Sequence, residues 1–325
     1  MPVRRGRDTM LPAEFPKTDD YPAGIIQEDN LADKGKYTDL QAPATPSRGQ
    51  NMLRKKVHGS QGGSVAPEPS SSKENRVSVD EVWYKYQQFW ESDQAGIGIV
   101  AHDNTVDHNI VVIKSFKLHA GNRQCGLLRK VSKEKPSNIV CLLDVFPSDH
   151  SIHLAYESLE VSLHHIQATC LQEITEIELA IIAKEVLQGL RYIHSELQVP
   201  YGQLCPRNVL LSYYSCDVKL ANIGEPILKP QKKDYADDAR AVGTLLVRLK
   251  EPGTFRRNPE SLELKDQRDI SDHCKTFIRQ TASSSLKHLI NHDFLLKSPG
   301  IGRLRIFIYR AMACAAKFPS KKLDR

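Results

Sequence analysis

Between Tyr201 and Gly224 the chain reads YGQLCPRNVLLSYYSCDVKLANIG, which sets Gln203, Asn208, Lys219 and Asn222 among apolar runs. Amides at these places restrict the chemistry. Gln203 cannot take a proton from a hydroxyl, and a neutral amide oxygen such as that of Asn222 is a poor sole anchor for a hard cation such as Mg2+. Upstream, AGIGIV at 95–100 supplies Gly96 and Gly98, where a backbone without Cβ can come close to a phosphate. Lys114 closes the run VVIK fourteen residues after Val100, and read alone it is either an exposed strand lysine or a phosphate ligand. His288 and His292 share a helical spacing of i, i+4 but have no evident third partner for a metal.

Positioning these residues takes a sheet followed by helices. Ile110–Phe116 is β-branched and reads as a strand, and Arg123–Ser132 has helical composition. Ile139–Phe146 and Ile152–Tyr156 read as antiparallel strands joined through Pro147-Ser148-Asp149. From Glu176 to Glu196 the residues Leu179, Ile182, Ala183, Val186, Leu187, Leu190 and Ile193 recur at the spacing of one helix face. Asp238–Lys250 and Ser283–Leu296 read as further helices. Strands first and helices later predict an α+β chain with a sheet lobe and a helical lobe.

The 325 residues are 40% apolar and 26% charged, enough for a sizeable core. The formal charge of +6 is carried by residues 299–325, where seven basic side chains face Asp324 alone. A fold-wide basic surface for nucleic acid is therefore not indicated. Seven scattered cysteines without a C-x-x-C pair predict a reduced intracellular protein, cytoplasmic or nuclear, with neither a disulfide framework nor structural zinc. No run approaches eighteen apolar residues, and no apolar core follows the first arginines. Residues 1–78 are rich in Pro, Gly, Ser and charge, and cannot bury enough surface to offset roughly 1–2 kcal/mol of backbone entropy per residue. They are expected to be disordered, with Arg4-Arg5-Gly6-Arg7 and Arg54-Lys55-Lys56 as solvated charge. A domain over 79–298 and a basic tail over 299–325 follow. In that tail, residues 302–318 mix basic and apolar side chains; packing one face on the chain's own domain is a stronger reading than contact with an anionic membrane.

Taken in order over Val82 to Lys297, the segments resemble protein kinases, especially the Ser/Thr cyclin-dependent-like group. The resemblance is carried by AGIGIV with VVIK, RQCGLLRKV, PSNIVCLLDVF, IHLAYESLEVSL, LQGLRYIHSE, LCPRNVLL, KLANIG and SSSLKHLINHDFL. It implies a bilobal fold, with an N-lobe over 79–158 and a C-lobe over 159–298. It also implies an ATP site. Gly96, Gly98 and Val100 would belong to its phosphate loop, Lys114 would grip the α- and β-phosphates, and Gln124 would stand where a helix Glu normally pairs with that lysine. Val112 would lie over the purine in place of a smaller residue, and Tyr156 would be the gatekeeper. The backbone of Glu157 and Leu159 would face adenine, and Leu210 would complete the set.

The same resemblance shows what has been lost. Gln203 stands at the position of the catalytic Asp and Asn222 at that of the metal-binding Asp, while Asn208, the second metal ligand, is kept. Tyr201-Gly202-Gln203 replaces His-Arg-Asp, and Cys205 replaces a phosphate-contacting Lys. A positioned base is worth about 10²–10⁴ in rate, or roughly 3–5 kcal/mol, and phosphoryl transfer leans further on charge neutralisation by metal. From Gly224 to Asp238 there are only fourteen residues, without the Ala-Pro-Glu ending of an activation segment. Ser283 replaces the Arg that would pair with that Glu. Asp238 fits the helix Asp that caps the catalytic-loop backbone. These losses imply a degenerate member: a pseudokinase acting as a binding or allosteric module for an unknown protein partner. ATP would remain a candidate ligand, with Mg2+ weak or absent. The alternative is a divergent, active Ser/Thr kinase.

Overall fold

A computed structural model describes residues 79–117, 125–148, 150–169, 173–229, 234–266 and 268–315. The expected disorder over 1–78, Gln124, Asp149 of the predicted turn and the basic residues after 315 lie outside the described residues. The chain opens with helix α1 (Val79–Lys85), then strands β1 (Tyr86–Asp93), β2 (Ile97–Asp103) and β3 (Ile110–Lys117). Helix α2 (Cys125–Glu134) precedes β4 (Leu142–Pro147) and β5 (Ser151–Glu157). These strands form one antiparallel sheet in the order β1-β2-β3-β5-β4.

The strand sequences explain why the sheet has two working faces. Side chains alternate along a strand, so Val111 and Ile113 of β3 turn one way and Val112 and Lys114 the other. On the first face Val111, Ile113, Ala101, Ala155 and Tyr86 bury themselves against Val82 of α1. On the second face the register sets Val100, Val112, Tyr156 and Leu142 in one row across four strands, all buried. That row roofs the cleft.

Below it lie β6 (Val161–Ser162), α3 (Leu163–Thr169), α4 (Glu176–Tyr192), β7 (Val209–Leu211), β8 (Val218–Leu220) and α5 (Gly224–Leu228). They are followed by α6 (Tyr235–Lys250), α7 (Pro252–Arg257), α8 (Asp272–Gln280), α9 (Leu286–Leu289) and α10 (Arg305–Ala315). β6, β7 and β8 form a second small antiparallel sheet. The stripe predicted on α4 is buried at every position from Leu179 to Leu190, and Ile193, just beyond the helix, is buried with it. The α+β division into a sheet-rich half and a helical half stands as expected.

One detail differs from the sequence reading. Ser283–Leu296 is not one helix: α9 ends at Leu289 and a 3-10 turn occupies Asp293–Lys297. The side chains of Ser285 and His292 accept hydrogen bonds from the backbone N–H of His288 and Phe294, starting two short helices in place of one. In the basic C-terminal stretch, Leu304, Phe307, Ile308 and Ala311 are buried, and α10 packs against α3. Arg303 Nε donates to Glu178 Oε1 of α4 at 2.6 Å.

The two halves are also joined by backbone. Val140 N donates to Leu220 O and Leu220 N to Asn138 O, both at 2.9 Å, next to a parallel bridge between Ile139 and Leu220. The Glu157 carboxylate accepts from Cys141 N and from Lys219 Nζ, each at 2.7 Å.

Candidate functional site

The predicted site residues come from four segments: the β1–β2 hairpin, β3, the stretch that leaves β5, and the loops around β7 and β8. The last group is held by Asp238 near the start of α6. Its carboxylate is 1% exposed and accepts from Tyr201 N and Gly202 N at 2.6 Å each, and it lies 2.7 Å from His194 Nε2. The helix is itself capped, since the Asp234 carboxylate accepts from Ala236 N and Asp237 N while Asp234 N donates to Asp237 Oδ2. Tyr201, fully buried, donates its hydroxyl to Ala221 O at 2.9 Å. Tyr156 accepts on its hydroxyl from Gly224 N at 3.1 Å, and burial pushes that phenol's pKa up. Two tyrosines thus bracket the short segment that carries Asn222.

Gly224 has no room for a side chain, because a Cβ there would lie 2.2 Å from Leu154 Cδ1 and 2.6 Å from the Tyr156 hydroxyl. Asn222 itself sits at φ +58°, a left-handed conformation that asparagine tolerates better than most residues.

Lys114 is 8% exposed and faces Asn222 across the cleft. Its ammonium donates to Asn222 Oδ1 at 2.7 Å, to Ala95 O at 2.5 Å and to Gln94 O at 3.2 Å. Asn222 Nδ2 donates to Ala95 O at 2.6 Å and to Asn208 Oδ1 at 3.2 Å. Asn208 Nδ2 in turn donates to Gln203 O at 2.8 Å. Among the described residues no carboxylate hydrogen-bonds the Lys114 ammonium. Burial therefore dominates and lowers its pKa to about 8, with the charges of Asp93 and Glu225 pulling weakly the other way.

A titration follows. Because the folded state holds the Lys114 proton less firmly than an unfolded chain does, the group's contribution to stability rises with pH from about 8 towards 10.5. The same shift leaves half the amine neutral at pH 8. An amine-acylating reagent followed by peptide mass spectrometry will modify Lys114 with a midpoint near pH 8, whereas exposed lysines need pH above about 10. A midpoint for Lys114 equal to theirs would contradict a buried setting with no carboxylate bonded to the ammonium.

Gln203, expected at the position of a catalytic base, ends in a donor. Its Nε2 is buried and has no hydrogen-bond partner. Gly98 does not leave open space either. A Cβ there would meet Val112 Cγ1 at 2.8 Å, so the bulk of Val112 fills the place a smaller residue would leave. Leu210 is buried in β7, opposite Lys219 in the lower sheet, and Val112 and Val100 belong to the roof row. Glu157 turns its carboxylate to Lys219, and Leu159 offers its carbonyl to the side chain of Gln94, whose Nε2 donates to it.

Gln94, Ala95, Asp93 and Arg207 were not singled out in the sequence. Asp93 Oδ2 lies 3.2 Å from Arg207 Nη1, so the hairpin's entry is paired with the loop before β7. The pair His288 and His292 lies with His273 and Asp293 around a surface hollow, and no group of metal-holding geometry occurs among the described residues.

Comparison with known proteins agrees with this architecture. Residues 100–244 match the family model described as the protein kinase domain. A mitogen-activated protein kinase 1 from Oryza sativa subsp. japonica is 34% identical over 107 residues, which cover 31% of this chain. The chain spans about a quarter (25%) of the length of that relative. Kinase domains in general use ATP with Mg2+, and the residues here do not fit that pair as they are arranged. The amide oxygens of Asn208 and Asn222 both already accept N–H donors, and Ala95 O stands against the Lys114 ammonium. Among the described residues, no helix is long and apolar enough to cross a membrane.

Proposed function

Because this chain belongs to the protein kinase superfamily, we propose that it uses the kinase fold as a binding or allosteric module and has given up phosphotransfer. One observation carries the reading. The two residues left to hold metal, Asn208 and Asn222, hydrogen-bond each other and Lys114 through the very oxygens a cation would need. A cation at that place would have to displace both bonds and would gain no anionic oxygen in exchange. The base position supports the same reading, since the Gln203 amide can donate but cannot accept a substrate proton. What remains intact is structural: the Asp238 clasp, the α4 core and the roof row of the sheet. Such a frame presents surfaces to a protein partner without needing chemistry at its centre. Nucleotide enters this reading as a metal-independent ligand and not as a substrate, and the protein acts inside the cell, in cytoplasm or nucleus.

The test is transfer of radiolabelled γ-phosphate from ATP to a general protein substrate, with Mg2+ or Mn2+. The full chain is expected to give the same signal as its Lys114→Ala variant. Transfer above that background, abolished by Lys114→Ala, would sink the reading and favour a divergent active Ser/Thr kinase.

A further inference from the structure

We propose that the tip of the β1–β2 hairpin, Gln94–Gly96, is a built-in occupant of the nucleotide cleft, so that a nucleotide binds only after displacing it. The inference rests on the binding-module reading above. β1 and β2 pair down to Asp93 opposite Ile97, which leaves a three-residue loop with Ala95 and Gly96 both at positive φ. That tight tip bends inward. Ala95 is 5% exposed and belongs to the main core together with Tyr156 and Leu159.

The Gln94 amide and the Ala95 carbonyl meet groups that a nucleotide would use. The Gln94 amide donates to the Leu159 carbonyl, on the connector between the lobes, as the exocyclic amine of a purine would. The Ala95 carbonyl oxygen takes both the Lys114 ammonium and the Asn222 amide, the place of a phosphate oxygen. Asp93 closes the entrance by its pair with Arg207. The seat is held against a local penalty, because Ala95 lies at φ +56°, where a residue with a Cβ is strained. A strained residue that accepts two strong donors is the mark of a conformation fixed by its contacts.

The cleft that opens when the tip leaves presents two donors, the Lys114 ammonium and the Asn222 amide, with neutral Asn222 and Gln203 at the usual carboxylate positions. Its ligand class is therefore a nucleoside di- or triphosphate without divalent metal.

The experiment is calorimetric titration of the full chain with ADP in the presence of EDTA. Apparent affinity falls with the fraction of molecules in the binding-competent state. Asp93→Ala combined with Gln94→Ala is expected to bind ADP about tenfold or more tightly than the unaltered chain. Ala95→Gly removes the φ penalty, strengthens the seat and is expected to weaken binding, the opposite sign. Asp93 is half exposed, so Asp93→Ala alone serves if the double variant does not fold, with the same direction and a smaller gain. Equal affinity in the unaltered and opened chains, no binding in either, or equal shifts from Ala95→Gly and the opening variants would each overturn the proposal. Failure of the functional reading is separable. Phosphate transfer by the opened chain would refute the loss of chemistry while leaving the displacement result standing.

Discussion

Replacing Asp238 with Ala will lower the stability of the domain by about 3–5 kcal/mol, the size expected when a buried charge and its partners are separated. The carboxylate accepts two backbone N–H groups at 2.6 Å and faces His194 Nε2 at 2.7 Å, all at a position 1% exposed. Without it, Tyr201 N and Gly202 N are buried donors with no acceptor, and each unsatisfied group costs about 1–3 kcal/mol. At about 2–4 °C per kcal/mol for a domain of this size, the melting midpoint should fall by roughly 6–20 °C. Asp237→Ala, one residue earlier, is the control. Asp237 lies on the exposed side of α6, where its carboxylate accepts from Asp234 N at 3.0 Å. Losing this capping bond should cost about 1 kcal/mol. If scanning calorimetry gave the two variants the same midpoint, Asp238 would be an ordinary helix residue and the clasp would carry no weight.

Asn222→Asp will change the cleft most. It restores the carboxylate that kinases keep there, and it does so in a site arranged for an amide. One oxygen of the new side chain replaces Oδ1 and pairs with the Lys114 ammonium, now 2.7 Å away. An opposite charge at that range raises the lysine pKa by about 1–3 units. The acylation midpoint of Lys114 should therefore rise from about 8 into the range of exposed lysines. The other oxygen takes the place of Nδ2 and faces Ala95 O and Asn208 Oδ1, which lay 2.6 and 3.2 Å from a donor. Acceptor against acceptor repels, so the hairpin tip loses a bond it needs. Backbone amides of Gly96 and Gly98 should exchange with deuterium faster in this variant. An unmoved midpoint together with unmoved exchange would mean that the amide of Asn222 is not bonded as described.

How far the sequence alone reached depends on which forces set each part. The α4 stripe was legible because a helix repeats every 3.6 residues and one face of it meets the core. The strands Ile110–Lys117 and Ser151–Glu157 were legible as β-branched and apolar runs, and their register then placed Val112 beside Tyr156. Strand β1 was not. Six of its eight positions, Gln87 to Glu91 and Asp93, are exposed, so it has no alternation to read. It is a strand because β2 offers it a partner. Helix α1 is only seven residues long and earns its place through Val82, against the outer face of a sheet that comes later in the chain.

In the cleft, Lys114, Asn208 and Asn222 were legible only through the resemblance to protein kinases, which LCPRNVLL and KLANIG carry. Spacing could not give the hydrogen bonds among them. The donation from Lys114 to Asn222 spans 108 residues, and that from Asn222 to Ala95 spans 127. Such partners are chosen by the fold, and only the chemistry of each residue is written locally. Gln94 and Ala95 were passed over for that reason, although they hold the centre of the site.

The backbone seam between 138–140 and Leu220 has a mechanical consequence. It lies at the β4–β5 side of the sheet, together with the Glu157 clasp on Cys141 and Lys219. The hairpin tip belongs to β1 and β2, at the opposite edge of the strand order. Adjacent strands are about 4.8 Å apart, so the tip rides on a lever three or four strands long whose fulcrum is the seam. A rotation too small to strain the seam, of a few degrees, is magnified at the far end of that arm. A partner gripping either lobe could therefore lift the tip while the joint itself hardly moves.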